Sequence, residues 1–87
     1  MVFGVAYDPD RNVVYAGDTA ANYVGVISAA TSNQIGSIFG LDDPREIRYF
    51  NGRIYVAESN TGALRVFDAG TLTEVTGSPV AIGGGEA

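Results

Sequence analysis

Residues 51–71 read "NGRIYVAESNTGALRVFDAGT". Two runs within it, residues 53–58 and 63–68, are short and rich in Ile, Tyr, Val and Phe, the composition of strands that pack on a pleated surface. Asn51-Gly52, between "RYF" and "RIYV", is a pair in which both residues accept positive φ, so it fits the type I′ turn that matches strand twist. Asp68, ahead of Ala69-Gly70-Thr71, is placed to accept backbone N–H bonds in an Asx-type turn, which makes it a corner device and not a metal ligand.

Working outward, the runs "FGVAY", "NVVYAG", "YVGVIS", "IGSIF", "EIRYF" and "EVTGSPVAI" have the same character and are separated by Asp, Asn, Gly, Pro, Ser and Thr. With the first two they give eight strands. No window sustains apolar residues at helical spacing, and "LDDPREI" is too short for more than one turn. The chain reads as all-β.

Sliding the sequence on itself by 40 residues places Tyr15 on Tyr55, Val26 on Val66, Ala29 on Ala69 and Thr31 on Thr71. Val14 falls on Ile54, Asp18 on Glu58, Val24 on Leu64, Ile27 on Phe67 and Ile35 on Val75. A period of about 40 residues holding four strands is the signature of a propeller blade. The expectation is two four-stranded β-propeller blades, one over residues 1–43 and one over 44–87. The first turn, in "AYDPDRNVVY", is two residues longer than its counterpart in "RYFNGRIY".

These stretches resemble the YVTN-type and related NHL-type β-propeller repeats, in which Pro-x-x-Ile/Val-x-Val precedes a turn, Tyr-Val-x-Asn and a strand ending near Ile-Asp-x-x-Thr. The matching residues are Pro44 to Tyr49, Tyr55-Val56-Ala57-Glu58 and Val66 to Thr71, and in the first unit Tyr15 to Asp18 and Val26 to Thr31. Ser28 stands where the repeat has Asp, Asp18 and Glu58 where it has Asn, and Met1-Val2 where it has Pro. The resemblance implies a ring of blades and an extracellular or periplasmic setting. Its motifs are structural and serve propellers of unrelated function.

Composition narrows the partners. A chain of 87 residues, 46% hydrophobic, is one small body; at this size folding hides only about 60–65% of the unfolded surface. With no Cys and no His, neither disulfides nor nitrogen- or sulfur-ligated metals add support. Oligomerisation is the remaining staple. Five Lys+Arg against ten Asp+Glu leave a net charge of −5, which argues against nucleic acid. No apolar run reaches the length of a membrane span, so no membrane partner is expected.

Function is less legible. Without His or Cys, a serine nucleophile lacks its usual base and a thiol nucleophile is absent. "IGGGEA" follows the last strand with no helix after it, so it reads as a connector and not as a phosphate cradle. No cofactor and no metal are called for. The loops at one end of the two blades gather Asp42, Asp43, Arg45 and Glu46 with Asp18, Thr19, Asn22, Glu58, Ser59 and Asn60, and Arg48 follows Glu46 on the same side of its strand. Asp18, Asn22, Asp42, Asp43, Glu46, Arg48, Glu58 and Asn60 form the candidate ligand face, suited to a small-molecule or carbohydrate ligand or to weak Ca²⁺ contact. A solvated acidic rim is the plainer reading of the same residues. Tyr15 and Tyr55 read as blade-to-blade packing with the hydroxyl reaching a loop.

Tyr55, Val66 and Phe67 are expected in the core, with Val14, Val26 and Ile27. Glu46 and Arg48 are expected to pair with each other or with symmetry copies. Two blades leave two apolar sheet faces uncovered, so the leading functional reading is a non-enzymatic, self-assembling propeller module. It would act as a scaffold or binding platform, closed into a six-bladed trimer first, an eight-bladed tetramer second and an open filament third. The alternative is a fragment of a propeller lyase or hydrolase with an acidic, metal-assisted central site.

Overall fold

The computed structural model describes residues 2–81. Eight strands fall in chain order: β1 (Val2–Asp8), β2 (Val13–Asp18), β3 (Tyr23–Ser28), β4 (Gln34–Ile38), β5 (Pro44–Phe50), β6 (Arg53–Glu58), β7 (Ala63–Asp68) and β8 (Val80–Ala81). They form two antiparallel meanders, β1-β2-β3-β4 and β5-β6-β7-β8. The fold is all-β, and "LDDPREI" holds no helical turn: Pro44 already begins β5. The connector "IGGGEA" lies outside the described residues.

The repeat extends to the backbone. Asn12, Asn22 and Ser32 adopt positive φ in the first sheet, and Gly52, Gly62 and Leu72 do so 40 residues on. Ala29 N–H donates to the Asn12 carbonyl at 3.0 Å and Ala69 N–H to that of Gly52 at 3.0 Å. Asn51 (φ 52°) and Gly52 (φ 81°) make the expected two-residue turn between β5 and β6. Asp68 Oδ1 accepts from Gly70 N–H at 2.8 Å and Thr71 N–H at 3.1 Å, the expected corner. Asp8 and Asp18 make the same kind of bond to their own turns.

The last strand departs from expectation. Among the described residues of "EVTGSPVAI", which end at Ala81, the structure has only a bridge between Glu74 and Phe67 and the two residues of β8. Gly77 turns the chain at φ 94° and Pro79 has no N–H to give, so a continuous ladder is impossible there. Ser78 supplies a substitute partner, its Oγ accepting from Val66 N–H at 2.8 Å.

The sheets pack with β5 against β1 and β2. Because directly opposed residues share a face, the register fixes which side chains point inward. In the first sheet Tyr15 lies opposite Ala6 and Val26, and in the second Ile54 lies opposite Tyr49 and Phe67. One core results, with Val13, Tyr15, Val24, Val26 and Ile38 on one side and Ile47, Ile54, Val56 and Phe67 on the other.

This arrangement corrects half of the expected core. Val26, Val66 and Phe67 are buried as expected, whereas Val14, Ile27 and Tyr55 are only half-buried. The physical reason is that two stacked blades bury opposite faces. The first hides residues 13, 15 and 17 of β2; the second hides 54, 56 and 58 of β6, which are equivalent to 14, 16 and 18. Tyr15 is therefore fully buried while its repeat partner Tyr55 looks outward.

Where β1 meets β5 the backbones touch. A Cβ on Gly4 would overlap the Arg45 carbonyl oxygen, and one on Gly17 would stand 3.1 Å from both Ile47 Cδ1 and the Pro44 carbonyl oxygen. Gly4 needs glycine for this close approach, and at Gly17 glycine spares its neighbours a shift of a few tenths of an ångström.

Candidate functional site

The turns that follow β2 and β6 and the loop between β4 and β5 converge at one end of the blades. Glu58 is the centre of that end. Its side chain is 3% exposed, and Oε2 accepts from Asp42 N–H at 2.8 Å and from Arg65 NH1 at 2.9 Å. Oε1 accepts from the Thr61 hydroxyl at 2.8 Å. Arg65 also donates to the Gly40 carbonyl and makes a bidentate pair of hydrogen bonds with Glu74, from Nε at 2.7 Å and NH2 at 3.0 Å. The guanidinium holds the Glu74 carboxyl below the usual carboxylate range, against a smaller upward push from burial. Glu58 thus ties the interblade loop to the second sheet.

The other loop residues are engaged with one another. Asn22 Oδ1 accepts from Asp43 N–H at 2.9 Å, Asn60 Nδ2 donates to Asp42 Oδ1 at 3.1 Å, and Arg45 Nε meets Asp43 Oδ2 at 3.0 Å. Asp18 Oδ1 caps the N–H groups of Ala20 and Ala21. These bonds join Asn22 to Asp43, Asn60 to Asp42 and Asp42 to Glu58, while Asp18 closes its own turn.

Glu46 and Arg48 stand apart from this lattice. They lie on the outward face of β5, opposite Ala57 and Tyr55. Arg48 NH2 meets Glu46 Oε2 at 3.2 Å, but the side chains are 73% and 64% exposed. This overturns the expectation of a pair enforced by the cost of burying charge: both groups stand in open solvent, where water screens them and an unpaired charge costs little.

At the opposite end of the blades a second polar cluster crosses the interface. Tyr15 donates to Asp8 Oδ2 at 2.6 Å, and Arg11 NH1 reaches the same oxygen at 3.2 Å. The Tyr15 ring stacks on that of Tyr49 with centroids 6.3 Å apart, and Tyr49 donates to Asp10 Oδ2 at 2.6 Å. Burial pushes the Asp8 carboxyl up, but donation from Tyr15, from the Arg11 backbone and guanidinium and from Asp10 N–H outweighs it and holds Asp8 below its ordinary value. Burial, with the Asp8 charge beside it, pushes the Tyr15 phenol well above its ordinary value. The sequence signals Tyr15 as a packing residue with a loop partner; Asp10 carries no signal, because the partner of its side chain, Tyr49, belongs to the other blade, whereas Arg11 pairs within its own turn with Asp8 three residues before it. Among the described residues every buried side-chain polar atom has a partner.

No family model matches the chain, and no curated protein matches it. Solved structures do. Hydrazine synthase of Kuenenia stuttgartiensis superposes with a TM-score of 0.78 at 25% identity, over 86% of this chain and 22% of that one. A chain of a nidogen/laminin complex gives 0.82 at 13% identity over 94% and 30%, and the WD40 repeats of RRP9 give 0.79 at 14% identity over 93% and 24%. These neighbours are β-propeller proteins, so the two sheets are propeller-type blades. The chain spans less than a third of the length of the structures it matches.

Proposed function

We propose that this chain is a two-blade β-propeller module of the YVTN/NHL repeat type that associates head to tail into a closed ring and serves as a protein-binding platform. The observation that carries the reading is the pair of uncovered sheet faces. Val5 and Tyr7, 57% and 53% exposed, stand on the outer face of the first blade; Phe50 and Val80, 70% and 47% exposed, stand on that of the second. Apolar sheet faces of on the order of 300 Å² each sit at the limit for a soluble monomer. The two faces differ, so their contact is heterologous and repeats until a ring closes.

Propellers close with about four to eight blades, so chains of two blades give a dimer, a trimer or a tetramer. The six-bladed trimer is the first choice and the eight-bladed tetramer the second. Likeness to propellers from a nidogen/laminin complex and from RRP9 favours a role in holding other proteins over catalysis. The acidic loop end, Asp18, Asn22, Asp42, Asp43, Glu58 and Asn60, is the surface such a ring would offer to a ligand, with Glu46 and Arg48 nearer its axis.

Native mass spectrometry of the 87-residue chain at micromolar concentration tests the assembly. Three chains are expected. Four chains would change the count, and a folded single chain would overturn the ring. A second reading, a blade pair belonging to a propeller enzyme, has the 25% likeness to hydrazine synthase behind it. It requires different blades to supply different residues to one site, so further blades in the same polypeptide would favour it.

A further inference from the structure

The internal interface specifies the external one. The outer face of the first blade is the repeat equivalent of the face that the second blade buries, and the outer face of the second blade is the equivalent of the face that the first buries. Across the buried contact Tyr15 stacks on Tyr49 and Gly17 meets Ile47. Tyr15 and Tyr55 hold the same place in β2 and β6, opposite Val26 and Val66. Tyr7 and Tyr49 do so in β1 and β5, opposite Val14 and Ile54. Ala57 likewise repeats Gly17, and Val5 repeats Ile47.

On this basis, and resting on the head-to-tail reading above, we infer that Tyr55 of one chain stacks on Tyr7 of a second copy, with Ala57 seated on that copy's Val5. The occupant of the open second blade is therefore the first blade of another copy, in one orientation only.

Side-chain volume supports the match. A Cβ on Gly17 would crowd Ile47 Cδ1 and the Pro44 carbonyl oxygen at 3.1 Å, so it fits only if they give by a few tenths of an ångström. At the equivalent external position Ala57 carries that Cβ, and Val5 lacks the δ-methyl that would meet it. One methyl gained on one face is removed from the other. Tyr55 is half-buried and Tyr7 is 53% exposed, so both rings have area left to cover. Tyr7 already has its hydroxyl on Asn12 Oδ1 at 2.8 Å, which leaves the ring faces for stacking.

The inner strands set a limit on how closely the copies approach. Gly4 and Ala6 of β1 are replaced in β5 by Glu46 and Arg48, and a Cβ at Gly4 would already overlap a carbonyl oxygen across the internal contact. The external contact is therefore tight at β6 and wider at β5, with the Glu46–Arg48 pair facing the solvent of the ring axis.

The chain has no cysteine, so single thiols can be introduced cleanly. Val5→Cys and Ala57→Cys variants are prepared separately, and each alone and the two mixed are treated with a short thiol-reactive cross-linker. The two positions lie on opposite outer faces, which precludes linkage within a chain. The inference expects a covalent two-chain product in the mixture at least tenfold above that from either variant alone, and a ladder ending at the ring size from the double variant. Like-with-like linkage would overturn it in favour of a two-fold contact between identical faces. No linkage from a sample whose native mass exceeds one chain would overturn this pairing and leave association standing; a native mass of one chain would remove both.

Discussion

The Tyr15 hydroxyl donates to the Asp8 carboxylate at 2.6 Å with both side chains wholly withdrawn from solvent. Asp8 also closes the β1–β2 turn through Asp10 and Arg11 N–H groups, so one carboxylate joins a turn, a strand and the interblade contact. Tyr15→Phe removes one donor to a buried charge and is expected to cost about 1–3 kcal/mol. Asp8→Ala should cost more than Asp10→Ala, which touches only the exposed Tyr49 hydroxyl. Urea unfolding of the three variants measures the order; equal losses would contradict it.

Acid should unfold the chain through the same group. Asp8, Asp68 and Glu74 all have folded values depressed below the ordinary 3.8 or 4.5. A depressed carboxylate contributes stability above its unfolded value and loses it as pH falls through the folded one. The urea midpoint is therefore expected to be level from pH 7 to about 5 and to fall steeply below about 4. Asp8→Asn should flatten that fall. The Tyr15 phenol is shifted upward, so its contribution is complete below its ordinary value near 10 and is lost in stronger alkali.

A repeat encodes its strands and turns but not the face each blade buries. The alternation in "RIYVAE" and "NVVYAG" predicts equivalent strands in two repeated blades, and both strands are present, one in each sheet. Alternation alone does not say which face a neighbour covers, because both faces of an inner blade are apolar. The pattern therefore places Tyr55 in the core as readily as Ile54, whereas the structure buries Ile54 and turns Tyr55 outward. Likewise Glu58 reads as a loop acid beside Asp42 and Asp43. Its burial depends on Arg65, seven residues away on the next strand, and on Glu74 beyond it. Partners fixed by tertiary approach leave no local trace.

The stacking order gives a direct mutational contrast. Ile54→Ala deletes a fully buried side chain and should cost about 2–5 kcal/mol, and Phe67→Ala, 4% exposed, about 3–5 kcal/mol. Tyr55→Ala, on the outer face, should lower the stability of the isolated chain by less than either while reducing its native mass. Equal destabilisation by Ile54→Ala and Tyr55→Ala in dilute solution would contradict the assignment of faces.

Calcium should leave the loop end unchanged. Both Glu58 oxygens, Asp42 Oδ1 and Asp18 Oδ1 are already accepting hydrogen bonds, and the loops lack the dense Asp/Asn alternation of tight calcium sites. Sub-millimolar calcium is expected to shift Tm by no more than about 1 °C, against several degrees for a site occupied well above its Kd. A larger shift would make the acidic end a cation site.

The inner strand of the second blade holds the last test, and its expected direction is a gain. Glu46 and Arg48 occupy the places that glycine and alanine occupy in β1, where small side chains let β1 lie on β5. Their mutual contact at 3.2 Å is between largely exposed groups and contributes little to stability, on the order of 0–1 kcal/mol. Replacing them by Glu46→Gly with Arg48→Ala removes charge and bulk from the outer face and gives it the close-approach surface of the first blade. The isolated chain should lose no more than about 1 kcal/mol, mostly the strand cost of glycine. Association should strengthen, seen as a lower chain concentration at which the native mass falls to a single chain. Weaker association would mean that Glu46 or Arg48 makes a direct attractive contact with the next copy, and that the inner strands meet without the widening inferred from Gly4.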